Sequence, residues 1–430
     1  MIGAGFVWLF LLLVLLGVPV VFAMALAPMA AFLAADRAQF LTLVAQKLFT
    51  GINQFPLLAI PLFILAGELM NVGGITERII RFSNALVGHL RGGLAQVDTL
   101  ACMFFSGLSG SAVADASALG SILIPAMERE GYGRPFAAAV TTASAVMGPI
   151  IPPSIIMVVY AFTMGESVAA LFLGGFVPGF VVCAGLMLAN HWVARRRNYP
   201  KKEHWVGVRE LGAASLGAVL PLMAPVIILG GILLGIVTPT EAAGVAVVYA
   251  LLVGMLVYRQ LSLRDLPQVL LRSGIASAAI LLVIGTASVF GWAATMSGLP
   301  NKLAATLLGL GSDPLTLLFL INLFLLFVGM FMDAGPAILI LGPVLAPTMT
   351  QLGVDPIHFA IIMCINLSIG LATPPVGLIL FATSSIAREP IERIAKEMLP
   401  HYLVLFVVLM LVTYVPDLSM ALPRLFGFAD

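Results

Sequence analysis

The chain has 430 residues, of which 61% are hydrophobic and 10% are charged, and its formal net charge is +1. Soluble domains carry about 25% charged residues, so this composition excludes an ordinary soluble enzyme or binding domain. The long apolar runs, such as 6–22 and 168–189, predict helices that cross a membrane. No stretch shows the ten-residue alternation of an outer-membrane barrel, so the expected fold class is an all-α polytopic membrane protein.

The N-terminal run at 5–33 lacks a basic leader segment and is too long for a signal peptide, so we expect it to remain as the first helix. The three cysteines lie in apolar segments without CxxC spacing, which favours buried thiols over a metal or redox centre. The connection at 194–210 is the most basic in the chain. The positive-inside rule therefore places that connection in the cytoplasm.

The second half of the sequence repeats the first at an offset of 222 positions. Segments 105–133 and 327–355 align without a gap, and they match Gly107 with Gly329 and Pro125 with Pro347. The register continues through Gly148 with Gly370, Pro152 and Pro153 with Pro374 and Pro375, and Pro178 with Pro400. Glycine and proline matches preserve backbone geometry, so the two units are expected to fold alike.

Each unit begins with two apolar segments, at 5–33 and 48–71 and again at 240–258 and 271–296. An amphipathic stretch follows (76–93; 300–314), and then a re-entrant hairpin, a broken helix and a closing helix. The first hairpin's arms, at about 94–106 and 112–127, are shorter than the roughly twenty residues of a full crossing. The opposite charge bias after the two units favours inverted repeats.

These elements divide the chain into five parts. Scaffold helices and an amphipathic arm occupy 1–93, and the first transport part occupies 94–193. The basic cytoplasmic loop follows at 194–210. A linking helix, the second scaffold helices and their arm occupy 211–314, and the second transport part occupies 315–430.

Two segments, "MGPIIPPS" at 147–154 and "IGLATPPVG" at 369–377, interrupt helices at equivalent positions of the two units. A broken helix exposes unpaired carbonyls at one half-helix end and unpaired amides at the other, which can hold a cation and an anion. Paired breaks of this kind point to the binding site of a transporter.

The first hairpin tip, "FSGLSGSAVADAS" at 105–117, concentrates serines and glycines. Hydroxyls and free carbonyls form an oxygen shell that suits Na⁺, although small residues also pack helices against each other. Asp115 and Asp333 are functional candidates because intramembrane carboxylates are costly. Glu68 and Asp98 lie nearer segment ends and are expected at the membrane interface.

No Walker A, HExxH or GxSxG motif is present, so the energy for transport must come from an ion gradient. An intramembrane hydrolase with Ser109 as nucleophile is the enzyme alternative, but no base stands at a readable spacing. A passive channel is the other alternative, and it needs no duplicated breaks with hairpins. Nothing indicates a nucleic-acid partner.

The blocks "SGLSGSAVADASALGSILIPAMEREGYGRPFAAAVTTASAVMGPIIPPSI" and "GMFMDAGPAILILGPVLAPTMTQLGVDPIHFAIIMCINLSIGLATPPVGLILF" resemble the large membrane subunit of tripartite ATP-independent periplasmic (TRAP) transporters, the DctM-like family. The resemblance implies a sodium-driven, elevator-type importer of an organic acid, such as a C4-dicarboxylate or sialic acid, in the bacterial inner membrane. It implies a small four-helix membrane subunit as a separate chain and a periplasmic substrate-binding protein. It implies no cofactor besides the coupling sodium ions.

The resemblance also implies where ions and substrate bind. The first sodium site would join Ser106, Ser109, Ser111, Gly148 and Pro149, and the second would join Gly329, Asp333, Asn366, Gly370 and Thr373. The substrate would lie between the tips, with Ser109, Asp115, Ser154 and Thr373 as its candidate contacts. A stand-alone sodium-coupled dicarboxylate symporter of similar architecture is the alternative.

Overall fold

The computed structural model describes residues 5–201, 205–299, 302, 305 and 313–429, and its regular elements are helices. In chain order they are α1 Gly5–Leu15, α2 Val20–Ala34, α3 Leu41–Ile52, α4 Ala59–Val72, α5 Ile75–Val87, α6 Gly93–Ser109, α7 Ala112–Arg129, α8 Arg134–Ala145, α9 Ile155–Met164, α10 Val168–Arg196, α11 Val208–Leu233, α12 Pro239–Leu252, α13 Leu266–Met296, α14 Pro314–Gly329, α15 Ala334–Gln351, α16 Pro356–Leu371, α17 Leu378–Ala387, α18 Ile391–Glu397, α19 Leu399–Tyr414 and α20 Asp417–Leu425. Short 3₁₀ turns at Ala38–Phe40 and Phe55–Leu58 flank α3, and a π-turn at Val253–Val257 extends α12.

The expectation that 5–33 forms the first helix is wrong, because α1 and α2 divide this segment. Gly17 adopts a φ of +84°, which reverses the chain after α1, and Pro19 directly precedes α2. The second segment breaks at 53–58, where Pro56 opens a 3₁₀ turn before α4. Glycine at positive φ and proline both stop a helix, which an apolar count does not register.

The second unit's first helices follow the sequence more closely. Thr238 and Glu241 form a capping box that starts α12, with the Thr238 N–H donating to Glu241 Oε2 at 2.8 Å. The predicted linking helix is α11, and α13 runs unbroken for 31 residues. The amphipathic stretch expected at 300–314 lies mostly outside the described residues.

Each unit contains the predicted hairpin followed by the predicted broken helix. In the first unit α6 and α7 meet at Gly110, whose φ of +60° turns the chain, and the arms have 17 and 18 residues. In the second unit α14 and α15 meet at 330–333. The offset of 222 positions carries Ala112, which begins α7, onto Ala334, which begins α15.

The base of the first hairpin lies on the same face as the end of α10. Tyr132, just after α7, packs against Tyr199 with ring centroids 4.6 Å apart and ring planes tilted by 32°. On this face Arg197 also pairs with Glu397, at 2.7 Å.

The base of the second hairpin lies at the beginning of α10 instead. Burial raises the pKa of Glu166, just before α10, and the nearby charge of Asp355, just before α16, raises that pKa further. His358 Nδ1 and Ser419 Oγ are 2.7 Å apart on the same side. Because α10 connects the two faces, the hairpins enter from opposite sides, and the inverted arrangement of the repeats is confirmed.

The two units interlock. Helix α17 of the second unit packs on α7 and α8 of the first, and α9 of the first packs on α15 of the second. The hydroxyls of Thr142 on α8 and Thr383 on α17 are 2.7 Å apart. Helices α6–α10 and α14–α20 therefore form one body, which we call the two-hairpin body.

A second layer contains α2–α4 and α11–α13, with α13 packed on α2, α3 and α4 and α12 packed on α4. We call this layer the scaffold. Among the described residues, five helical segments are long and apolar enough to cross a membrane: Phe55–Val72, Val168–Arg196, Val208–Leu233, Pro239–Val257 and Leu266–Met296. The pair α18–α19, bent by 62°, would make a sixth. The protein is thus a multi-pass membrane protein.

Candidate functional site

The first hairpin tip is closed around a carboxylate. Ser106 donates to Asp115 Oδ2 at 2.8 Å, and Ser109 donates to Asp115 Oδ1. Asp115 lies in the first turn of α7 and is 0% exposed. Among the described residues no Lys, Arg or His lies within ion-pair distance of Asp115. A buried carboxylate without a positive partner requires a proton or a cation.

The first broken helix touches this tip backbone to backbone. A Cβ on Gly148 would lie 2.8 Å from the Ala112 nitrogen and 2.8 Å from Asp115 Oδ2. Gly110 approaches the carbonyl of Pro153 just as closely, since a Cβ there would be 2.7 Å from that oxygen. Only glycine permits these approaches, so the tip and the break form one oxygen-rich centre.

Ser154 belongs to the break itself. Its hydroxyl donates to the Pro149 carbonyl at 2.7 Å and accepts from the Met157 N–H at 3.3 Å, which caps α9. The side chain is 1% exposed and its proton is donated within the break, and the role of Ser154 as a substrate contact stays a prediction.

The second hairpin tip meets the second break at two glycines. A Cβ on Gly370 would lie 2.5 Å from the Gly329 Cα, so the two backbones cross in direct contact. The N–H of Gly377 also donates to the Met330 carbonyl at 3.3 Å. The tip and break of the second unit are thus joined as they are in the first.

Asn366, one turn before Gly370, has a buried oxygen without a partner. Its amide nitrogen donates to the backbone and side-chain oxygens of Asn322, at 2.9 and 2.7 Å. Its Oδ1 accepts no hydrogen bond from the described residues, although Asn366 is 0% exposed. An unpaired buried amide oxygen is costly, and a bound cation would satisfy it.

Asn322 was not among the site residues predicted from the sequence. It is the one amide side chain of helix α14, where Thr316 is the other polar residue, and it donates to Thr413 Oγ1 at 3.0 Å. Polar residues within apolar spans are functional candidates, and that criterion would have found it.

The remaining predicted members of the second site lie nearby but differ in environment. Asp333 is exposed and caps α15, with its Oδ1 accepting from the Ala334 N–H at 2.7 Å. Thr373 is half-buried and donates to the Ile369 carbonyl at 2.8 Å. The structure therefore brings Gly329, Gly370 and Asn366 together at the crossing and leaves the Asp333 carboxylate on a cavity wall.

A cavity of about 350 Å³, which we call the central cavity, lies between the two tips. Its polar wall includes Ser111 and Asp333, one from each tip, together with the backbone of Pro149. Apolar residues of α9 and α13 form half of the remainder. A cavity between the tips is where the sequence analysis expected the substrate.

The predicted substrate contacts do not line this cavity. Among its described lining residues, Ser109, Asp115, Ser154 and Thr373 are absent. The hydroxyls of Ser109 and Ser154 are hydrogen-bonded within the tip and the break. Ser109 instead borders a smaller cavity of about 140 Å³, across which lies Glu68 of α4.

Of the two carboxylates expected at the membrane interface, Asp98 needs correction. Asp98 is 0% exposed and accepts a hydrogen bond from Thr141 Oγ1 at 2.5 Å, inside the two-hairpin body. Glu68 is half-buried and faces the first tip.

The sequence matches the family described as "Tripartite ATP-independent periplasmic transporter, DctM component" over residues 6–418. The chain belongs to this family. It is 40% identical over 429 residues to a sialic acid TRAP transporter large permease protein of Vibrio cholerae, covering 99% of both chains. It is 44% identical over 386 residues to a C4-dicarboxylate TRAP transporter large permease protein of Pseudomonas aeruginosa, covering 90% of both.

The fold also resembles that of a solved transporter structure. The YdaH transporter of Alcanivorax borkumensis superposes with a TM-score of 0.62 at 17% identity, covering 99% of each chain. At that identity the likeness concerns the fold alone. Family membership makes this chain the large permease subunit of a TRAP transporter, a transport protein and not an enzyme.

Proposed function

We propose that the chain imports an organic acid across the bacterial inner membrane by sodium-coupled symport. The observation that carries the proposal is the pair of oxygen-rich centres that flank the central cavity. The first centre surrounds the Asp115 carboxylate, and the second contains the unpaired Oδ1 of Asn366. Hard oxygen ligands of this kind suit an alkali cation.

Sodium and substrate binding are coupled through the tips. Asp115 and Gly148 place the first centre at the tip that presents Ser111 to the central cavity. A cation at that centre would neutralise the buried carboxylate and hold the tip against the break. The ordered tip would then complete the substrate pocket. The body would move readily when it is empty or when it holds both Na⁺ and substrate, and less readily when it holds only one of them.

Movement takes the form of an elevator in this proposal. The two-hairpin body is tied internally by polar contacts such as Thr142 with Thr383 and His401 with Asn190, at 2.7 and 2.8 Å. Its contact with α13 brings together apolar residues such as Ile284 and Leu339. The side-chain hydrogen bonds given for the described residues of α13 stay within that helix, and such an apolar contact permits the body to slide along α13 as one unit.

The substrate is an organic anion, and the partners follow from the family. Relatives are named for sialic acid, for C4-dicarboxylates and for isethionate, a sulfonate, so the shared chemistry is an organic anion, and we propose a carboxylate for this chain. We propose that a separate small membrane subunit completes the scaffold and that a periplasmic binding protein delivers the anion.

The test is uptake in proteoliposomes that contain this chain and its candidate small subunit. An inward Na⁺ gradient would be imposed, and radiolabelled succinate and sialic acid would be offered with and without the cognate binding protein. Uptake that requires both Na⁺ and the binding protein is expected. Uptake that persists when K⁺ replaces Na⁺ would reject sodium coupling, and uptake without the binding protein would indicate a stand-alone symporter.

A further inference from the structure

A second cavity of about 430 Å³ adjoins the central cavity, and the two share Ile284 and Leu339 as walls. We call it the outer cavity. It lies among α3, the end of α9, the last turns of α13 and Pro343 of α15. Its polar lining differs from that of the central cavity and consists of Lys47, Thr50, Gln54, Thr163, Ser288 and Thr295.

The outer cavity lies toward the face from which the second hairpin enters. Thr163 is near the end of α9, which leads into the beginning of α10, and the basic connection follows the opposite end of α10. The positive-inside rule makes the basic end cytoplasmic, so the outer cavity is on the periplasmic side.

Close helix packing fixes Lys47 at this cavity. Lys47 and Thr50 lie three positions apart on one face at the end of α3, and Gln54, just after the helix, donates to the Thr50 carbonyl at 3.1 Å. One turn after Lys47, Gly51 packs so closely on α13 that a Cβ there would collide with Ser288. The crossing of α3 with α13 therefore sets the position from which the Lys47 side chain reaches the cavity.

Lys47 is the cation that an anion would meet here. Among the described residues lining the central and outer cavities it is the one positive side chain, and it makes no ion pair with a described carboxylate. The hydroxyls of Thr163, Ser288 and Thr295 donate to carbonyls of their own helices, at 2.7, 3.0 and 2.9 Å. The ammonium group is thus the charged donor of the outer cavity.

The central cavity offers the opposite charge, because its wall carries Asp333 and none of its described lining residues is a cation. An anion approaching from the periplasm would be attracted first to Lys47. We propose that the outer cavity is a capture site for the carboxylate of the transported anion, held by Lys47 before it passes to the central cavity. This inference rests on the proposed function and adds a binding step to it.

The experiment compares Lys47→Met with Lys47→Arg in the proteoliposome system, using initial rates of radiolabelled succinate uptake at saturating Na⁺. Lys47→Met removes the charge from a stem of similar size, and Lys47→Arg keeps the charge. Lys396→Met, an exposed lysine on the cytoplasmic helix α18, is the matched control. Thermal unfolding of each purified variant reports whether it is folded.

Lys47→Met is expected to raise KM by about tenfold with kcat nearly unchanged, as for loss of one hydrogen bond to a charged group. Lys47→Arg and Lys396→Met are expected to retain the KM of the unmodified chain. Rising ionic strength should increase the KM of the unmodified chain, because salt screens the Lys47 charge. It should have little effect on Lys47→Met, because that variant lacks this charge.

An unchanged KM in Lys47→Met would overturn the capture site while leaving the proposed function intact. Equal impairment of Lys47→Arg and Lys47→Met would overturn it too, because packing rather than charge would then be responsible. Absence of organic-anion uptake by the unmodified chain would instead reject the proposed function, and the capture site with it.

Discussion

At the first hairpin tip the carboxylate is enclosed, whereas at the second it is not. Asp115 is 0% exposed and accepts from two serine hydroxyls, while Asp333 is exposed and caps the helix that follows it. The buried polar group of the second unit is an amide instead, Asn366, held by Asn322. The two units thus share a backbone arrangement but place different oxygen ligands in it.

This difference teaches that the backbone and the side chains of the repeats are under separate constraints. The glycine contacts at Gly148 and Gly370 recur at equivalent positions and are set by geometry. The side chains beside these glycines differ between the units, since the first centre contains a carboxylate and the second contains a neutral amide. We therefore expect substitution of either glycine to destabilise the fold to a similar extent. We expect the two centres to differ in sodium affinity.

The largest effect is expected from Gly370→Ala. The new Cβ would lie 2.5 Å from the Gly329 Cα, where no flexible side chain can move aside. The destabilisation should reach about 3 kcal/mol, and uptake should be lost. Thermal unfolding in detergent and proteoliposome uptake would measure the two.

Gly342→Ala is the matched control, because its nearest neighbour would be the flexible Met164 side chain at 3.6 Å. Gly148→Ala should behave like Gly370→Ala. A normal unfolding temperature in either broken-helix variant would contradict the close crossing of tip and break.

The next largest effect is expected from Asp115→Asn. Removing the buried negative charge should weaken Na⁺ binding by about 100-fold, whereas Asp333→Asn, at an exposed carboxylate, should weaken it by about tenfold at most. The Na⁺ concentration for half-maximal uptake measures both.

Asp98→Asn is the control for loss of a buried carboxylate elsewhere in the body, since Asp98 is also 0% exposed. It should lower stability without a selective loss of sodium affinity. Equal sodium affinities in Asp115→Asn and the unmodified chain would remove the charged centre from the proposal.

The smallest of the three effects is expected from Asn366→Ala. It removes the unpaired Oδ1 and two hydrogen bonds to Asn322, which should weaken Na⁺ binding by about tenfold. Ser144→Ala, at the equivalent position of the first unit, loses a contact with Thr99 Oγ1 at 2.9 Å and serves as the control. If both variants shift the sodium dependence equally, the neutral centre is not at Asn366.

The sequence predicted the fold well because its information lies in glycine and proline positions. The repeat at 222 positions located both hairpins and both breaks, since these residues determine where a helix can turn. The division of the segment 5–33 into two helices was missed, because Gly17 and Pro19 interrupt a run that is apolar throughout.

Side-chain partners were harder to predict. Asp98 appeared interfacial because its partner, Thr141, is 43 positions away on another helix. Asn366 was identified, yet its partner Asn322 was not, since a contact between separate helices leaves no local pattern. Ser154 was predicted as a substrate contact, and the sequence did not show that its hydroxyl also caps α9. The five-part division of the chain stays a prediction.

The interlocking of the units has a consequence for the origin of the chain. Helix α17 packs on α7 of the other unit, and α9 packs on α15. A single unit made alone would expose the apolar faces that its twin now covers. Before duplication and fusion, the ancestral gene product would therefore have been a homodimer of two oppositely inserted copies, each completing the other with an exchanged half-helix.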